Sequence, residues 1–259
     1  MPATIPNCGT YLIEAYAVGT ATANTFRLNT STLNGTAVLG GEFWYDISQY
    51  IEAVSIFRGR QNVFRETSVA PGRASFKIND DNFYFSVVNT ASPYWNATDN
   101  RLAIGVSTPV RISRDNEYLF VGQITTYDQN IVQPNHATVN VTCSDELQIM
   151  NNVKLAAQTT TQQTSGERIN AVLNSAAISI PRDIAVGVAN IGAVSIEDGV
   201  GLRDYLLRIQ NCEFGRMFIG RGGTFTAQSR VLPQLRSVVA TLSDTGTGIP
   251  YQTFDIENS

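Results

Sequence analysis

The chain has 259 residues, of which 43% are hydrophobic and 15% charged, with 18 Lys+Arg against 22 Asp+Glu and a net charge of −4. That length suits one large or two modest domains of about 100–200 residues each, and the charge is low beside the about 25% of an ordinary soluble domain. A net-acidic chain with one histidine, His136, excludes a multi-histidine zinc site and argues against a broad basic face for holding nucleic acid.

Residues 1–41 are rich in Thr, Asn and Gly, with an apolar patch, TYLIEAYAV, and a second extended stretch, NTFRLNTSTL. No helical period is sustained there, which predicts an extended segment with short strands. The N-terminus lacks a basic run followed by an apolar one, and no stretch of about 18 apolar residues occurs, so we expect a soluble protein without an export signal.

From residue 42 the pattern sharpens. FWYDIS, YIEAVSIFRG, RASFKIND, TPVRIS, EYLFVGQITTYD and HATVNVTCSD combine aromatic and β-branched residues at near-alternating positions, separated by the turn clusters APG, NDDN, NTASP, RDN and QPN. In the last of these strands Ala137, Val139, Val141 and Cys143 alternate with His136, Thr138, Asn140 and Thr142. That phase predicts a buried apolar face and an exposed imidazole at the strand edge. Several short strands with such turns predict an antiparallel barrel or sandwich over about 42–144.

The period then becomes helical. Asp145 to Ala157 reads as a helix capped by Ser144 or Asp145. After the linker QTTTQQ, Thr164 and Glu167 form a capping box ahead of the stripe Ile169, Val172, Leu173 and Ala176. A third helix from near Asp198 places Leu202, Tyr205, Leu206 and Ile209 on one face, and closes between Asn211 and Gly215, where the glycine supplies a left-handed residue. The strands GRMFIG and TFTAQSR follow, joined by the turn Arg221-Gly222-Gly223. Residues 231–259 return to extended sequence and leave a sheet that looks unfinished, so either a partner completes it or the polypeptide continues.

Little chemistry is local. No GxxxxGK[ST] or GxSxG occurs, and Gly246 and Gly248 open no helix. Asp80, Asp81 and Asn82 are adjacent where a calcium loop needs alternating donors, so they read as a solvated turn. Cys8, Cys143 and Cys212 are far apart with no CxxC, which reads as buried, reduced thiols. Glu213, between Cys212 and Phe214, is the most enclosed acid, with Arg216 or Arg230 as its expected partner. Arg58 and Arg60, with Arg65 and Arg73 nearby and close to Asp46 and Glu52, read as guanidinium forks that bond loop carbonyls and carboxylates within the barrel or across a subunit joint. No cofactor is implied.

Several segments in one order carry a resemblance. WYDISQYIEAVSIFRGRQ, APGRASFKINDDNFYFSVVNTASPYW, RLAIGVSTPVRIS, LFVGQITTYD and VNVTCSDELQIM, then GERINAVLNSAAI and GLRDYLLRIQNCEFGRMFIGRGGTFTAQSR, span about Phe26 to Ser259. Together they resemble the minor tail proteins that form the baseplate or tail-tip hub of tailed bacteriophages. The resemblance implies a β-rich α+β fold: an N-terminal extended segment (1–41), an antiparallel β-barrel hub domain (42–157), an inserted small α/β domain (158–230) and the start of a second barrel (231–259), which needs more strands than the chain carries. It further implies a structural, non-enzymatic subunit in the virion, assembled in the host cytoplasm into a homotrimeric ring at the distal end of the tail. Expected partners are tail-tube or distal tail proteins, a tape measure protein and tip or receptor-binding proteins, with DNA only in passing and no membrane-spanning segment. Asp46, Arg58, Arg60, Arg73, Trp95 and Arg230 are the residues expected at structural contacts or interfaces. The alternative is a cell-envelope carbohydrate-binding module or glycan hydrolase, with Trp44, Trp95, Tyr94 and Tyr84 as a stacking platform and Glu213 as the acid.

Overall fold

A computed structural model describes residues 11–16, 44–59, 70–96, 99–132 and 136–231. Seven strands form one antiparallel sheet: β1 (Tyr11–Tyr16), β2 (Trp44–Asp46), β3 (Ile51–Gly59), β4 (Ala70–Asn79), β7 (Pro109–Arg114), β8 (Glu117–Val132) and β9 (His136–Ser144). Their order is β2-β1-β7-β8-β9-β4-β3. The short strands β5 (Trp95–Asn96) and β6 (Arg101–Leu102) pair separately in the connection between β4 and β7.

The strands form where side chains alternate. In β9 every second residue from Ala137 to Cys143 is buried, and Phe76 and Ile78 of β4 share that core with Ile112 of β7 and Phe120 and Ile124 of β8. Each such Val, Ile or Phe side chain contributes about 1.5–3 kcal/mol by leaving water. Asp115 and Asn116, both at positive φ, make the two-residue turn between β7 and β8, the conformation that matches strand twist. Irregular register in the β3–β4, β7–β8 and β8–β9 ladders bends the sheet, as bulges do. Among the described residues the sheet stays open: its edge strands, β2 and β3, are joined by a short 3-10 turn at Ser48–Tyr50 and are not paired with each other.

A second cluster of buried residues runs from Leu147 to Ala227. Its frame is α2 (Ser165–Ser175), α3 (Leu202–Glu213) and a three-stranded sheet of β13 (Arg182–Ile184), β18 (Phe225–Gln228) and β17 (Arg216–Ile219), with β13 parallel to β18. Two-residue and three-residue pairs complete it: β10 (Lys154–Leu155) with β16 (Val200–Gly201), β11 (Gln158–Thr160) with β15 (Val194–Ile196), and β12 (Gln163–Thr164) with β14 (Asn190–Ile191). The capping box at Thr164 and Glu167 is present, and Ile169, Val172 and Leu173 are buried against Leu202, Tyr205, Leu206 and Ile209.

Three expectations about helices and turns need correction. Asp145 does cap a helix, but α1 covers only Glu146–Ile149, followed by a 3-10 turn at Met150–Asn152; Lys154 and Leu155 are drawn into pairing with Val200 and Gly201 instead. The third helix begins at Leu202, not near Asp198. Its left-handed closing residue is Phe214, at φ 53, and not Gly215. Gly215 has no room for a side chain, since a Cβ there would lie 2.3 Å from the Gln228 carbonyl oxygen.

Candidate functional site

Two polar anchors join the large sheet to the α/β unit. Arg58, near the end of β3, donates through Nη1 to the Leu119 carbonyl of β8 (3.1 Å) and through Nη2 to the Ile219 carbonyl of β17 (3.0 Å). Both acceptors are strand carbonyls, one of them in the α/β unit, where loop carbonyls and carboxylates within the barrel or across a subunit joint were expected. Burial and then the nearby Arg221 lower its pKa, and Asp145 opposes them. Asp145 is 5% exposed and accepts from the backbone N–H groups of Gly72 (2.7 Å) and Leu147 (3.1 Å). Burial pushes its carboxyl up to about 6 against the pull of those donors, of the Gln148 N–H and of Arg58. One carboxylate therefore ties β4 to the start of α1.

Glu213 closes α3 and gathers four donors. Ser165 Oγ and Ser229 Oγ each donate at 2.7 Å, Ala189 N at 2.7 Å and Val188 N at 3.0 Å. The expected arginine partner is replaced by these uncharged donors. Burial raises the carboxyl's pKa, but the Ser229, Ala189, Ser165 and Val188 bonds outweigh it and hold the group at about 2. A carboxylate of that kind carries no proton at neutral pH and does not serve as a general acid. Gly187, at φ +83, lets the loop pass: a Cβ there would lie 1.7 Å from Ser165 Oγ.

A buried arginine inside the α/β unit was not legible from the sequence. Arg168, 0% exposed, donates to Gln163 Oε1 (3.0 Å), Tyr205 Oη (2.9 Å), the Thr161 carbonyl (2.6 Å) and the Gly192 carbonyl (2.9 Å). It sits in the helix that the capping box announces, one residue before Ile169; the only sequence signal was a charge beside an apolar stripe.

The other residues singled out from sequence are dispersed. Asp46 is exposed and accepts from Ser48 N (2.9 Å); Arg73 is exposed on β4; Trp95 is half-buried on β5; Arg230 is exposed after β18. No hydrogen bond or ion pair joins any two of Asp46, Arg58, Arg73, Trp95 and Arg230 among the described residues. Arg60, Arg65, Cys8, Gly246, Gly248 and residues 232–259 lie outside the described residues. Cys143 is buried, its thiol pushed up to about 12 by desolvation, whereas Cys212 is exposed, contrary to expectation. The Asp80–Asn82 turn also differs. Asp80 is 1% exposed and accepts from Phe85 N (3.0 Å), while exposed Asp81 meets the His136 ring (Nδ1 to Oδ1 2.7 Å). No group of three His, Cys, Asp or Glu that could hold a metal occurs among the described residues. No helix there is long and apolar enough to cross a membrane.

The aromatic residues considered as a sugar platform do not form one. Tyr94 packs against Phe85 (centroids 5.0 Å) and Tyr45 (5.6 Å), and Tyr84 against Tyr50 (6.3 Å), all in or against the sheet core. Trp44 is covered by the Arg111 guanidinium, 4.2 Å from its centroid, and by Tyr16. What the surface offers instead is a cleft. The cleft, about 500 Å³, lies between β1 and β3 and is lined by Tyr11, Ile13, Ser48, Ile51, Val54 and Ile56 among others. Val186, Val188 and Phe214 are exposed apolar side chains of the α/β unit.

Neither a protein-family model nor a curated protein sequence matches the chain. Solved structures do. The 43 kDa tail protein of prophage MuSo2 from Shewanella oneidensis superposes with a TM-score of 0.53 at 11% identity, over 85% of this chain and 54% of that one. A tail protein from Neisseria meningitidis MC58 gives 0.50 at 9% identity, over 84% and 50%. The chain has a phage tail-protein fold. It spans about half the length of these two tail proteins.

Proposed function

We propose that the chain is a structural subunit of a bacteriophage tail tip or baseplate hub. In this reading it assembles as a homotrimeric ring at the distal end of the tail, joins the tail tube to the tip and leaves a conduit for DNA. Residues 42–157, with β1, form the hub domain, which closes into a barrel in the assembly; 158–230 are the inserted domain, and 231–259 begin a second barrel. Its neighbours are distal tail or tube proteins, a tape measure protein and tip or receptor-binding proteins. The work is mechanical, without turnover.

The observation that carries this reading is the likeness to two tail proteins over at least 84% of the chain. The nine-residue strand β3 supports it, since among the described residues it pairs on one side only and lines a cleft; soluble monomers usually protect such an edge, whereas assembling proteins use it. The net charge of −4 suits a conduit, because a basic lining would retain DNA through counterion release. No observation favours the carbohydrate reading. Native mass measurement tests the proposal: the expected species is three copies of the 28.2 kDa chain. A monomer at micromolar concentration, with no gain in mass when a tail-tube protein is added, overturns the ring.

A further inference from the structure

The two buried clusters share no residue: one runs from Ile13 to Cys143 in the large sheet, the other from Leu147 to Ala227 in the α/β unit. Units with separate cores move against each other by default unless a large apolar interface holds them. At this joint, glycines and polar groups of the α/β unit meet the sheet. The turn between β17 and β18 lies on β8, where a Cβ on Gly223 would sit 3.1 Å from Val121 Cγ1 and one on Gly222 3.9 Å from Tyr118 Cδ2. Glycines allow a close approach without side chains that interlock, so they set a distance and leave rotation open.

Arg58 ties across the joint. Its Nη1 holds the Leu119 carbonyl of β8 and its Nη2 the Ile219 carbonyl of β17, at 3.1 and 3.0 Å, so one planar guanidinium spans both units. Its stem is boxed in on the sheet side, since a Cβ on Gly72 would meet Arg58 Cγ at 3.5 Å and Asp145 Oδ2 at 2.9 Å. The charges around the fork are divided. Exposed Arg221, two residues beyond Ile219 in the same turn, weighs against the Arg58 cation, while Asp145 favours it. The α/β unit thus offers Arg58 one acceptor and one repelling cation: a charge-assisted bond works against a like charge beside it.

We propose that Arg58 is a latch, whose bond to the Ile219 carbonyl fixes the α/β unit in one setting on the sheet, and that the unit swings as a rigid body when the bond is lost. The proposal goes beyond the tail reading and stands or falls independently of it. The test is pulsed electron spin resonance on the full 259-residue chain with Cys8→Ser, spin-labelled at exposed Cys212 of α3 and at Ser75→Cys, an exposed position of β4; Cys143 is buried. One narrow distance is expected in this parent. Arg58→Met should raise the population at other distances about tenfold, as the loss of one charge-assisted bond implies, with an unchanged far-ultraviolet circular dichroism spectrum. Arg58→Lys keeps the charge without the fork and should broaden the distribution in the same way, which decides the matter if the methionine variant does not fold. Arg221→Glu exchanges the repelling cation for an anion and should keep the narrow distance. A parent distribution that is already broad, Arg58 variants that fold and keep the narrow distance, or broadening in Arg221→Glu each overturns the latch. A lower urea midpoint in the Arg58 variants without broadening marks an ordinary stabilising bond and overturns it too.

Discussion

Replacing Glu213 with glutamine removes the charge that four donors were arranged to meet. The carboxyl sits at about 2 in the folded chain against an ordinary 4.5, and at about 1.4 kcal/mol per pKa unit the full shift corresponds to about 3 kcal/mol. The side chain is 5% exposed, but Val188 and Phe214 beside it are open to water, so screening reduces the effect to about 2 kcal/mol. Because the folded value is depressed, this stability is present above the unfolded value near 4.5 and drains away as pH falls towards 2. Urea unfolding followed by far-ultraviolet circular dichroism, together with amide exchange at Val188 and Ala189, measures it. Glu213→Gln should cost about 2 kcal/mol at pH 7 and progressively less below about pH 4, with the two amides exchanging faster. A loss that is the same at pH 7 and pH 3, or no change in either amide, refutes the clasp.

Asp145 supplies a pH dependence of the opposite sign. Its folded value of about 6 lies above the ordinary 3.8, so stability is full below about pH 4 and falls as pH rises through 6; Asp145→Asn should flatten that limb, worth about 2–3 kcal/mol, in urea titrations across pH 4–7. Arg168→Met takes the donors from buried Tyr205 Oη and from the part-buried bonds to the Thr161 and Gly192 carbonyls and should cost about 1–3 kcal/mol, read as a lower urea midpoint for the α/β unit. Of the described cysteines, Cys212 should react with a thiol reagent in the folded chain within minutes, whereas Cys143 should react only after denaturation.

Much of the frame was legible because it rests on local periodicity. The alternation from Ala137 to Cys143 marked the buried face of β9, and Thr164 with Glu167 marked the start of α2. What failed depended on distant backbone. The helix expected through Ala157 stops early because Lys154 and Leu155 find partners in Val200 and Gly201, about 46 residues away in sequence, a tertiary pairing that overrides helical propensity. Gly215 looked like the left-handed closing residue, but its missing side chain is needed for the approach of Gln228, which leaves the positive φ to Phe214. Glu213 was recognised as enclosed while its partners were misassigned. Two serines and two backbone N–H groups are invisible as a set until β18 and the 187–189 loop converge. Asp80 looked like a solvated turn residue for a similar reason, since its acceptor role toward Phe85 N appears only once the turn has formed.

The most direct test of the central claim is cryo-electron microscopy of phage particles that encode this chain, with the protein located by fitting its sheet and α/β unit into the map. The account predicts a threefold ring of copies at the distal end of the tail, around an open channel. Intact infectious particles that lack the protein, or that carry it only away from the tail tip, contradict it.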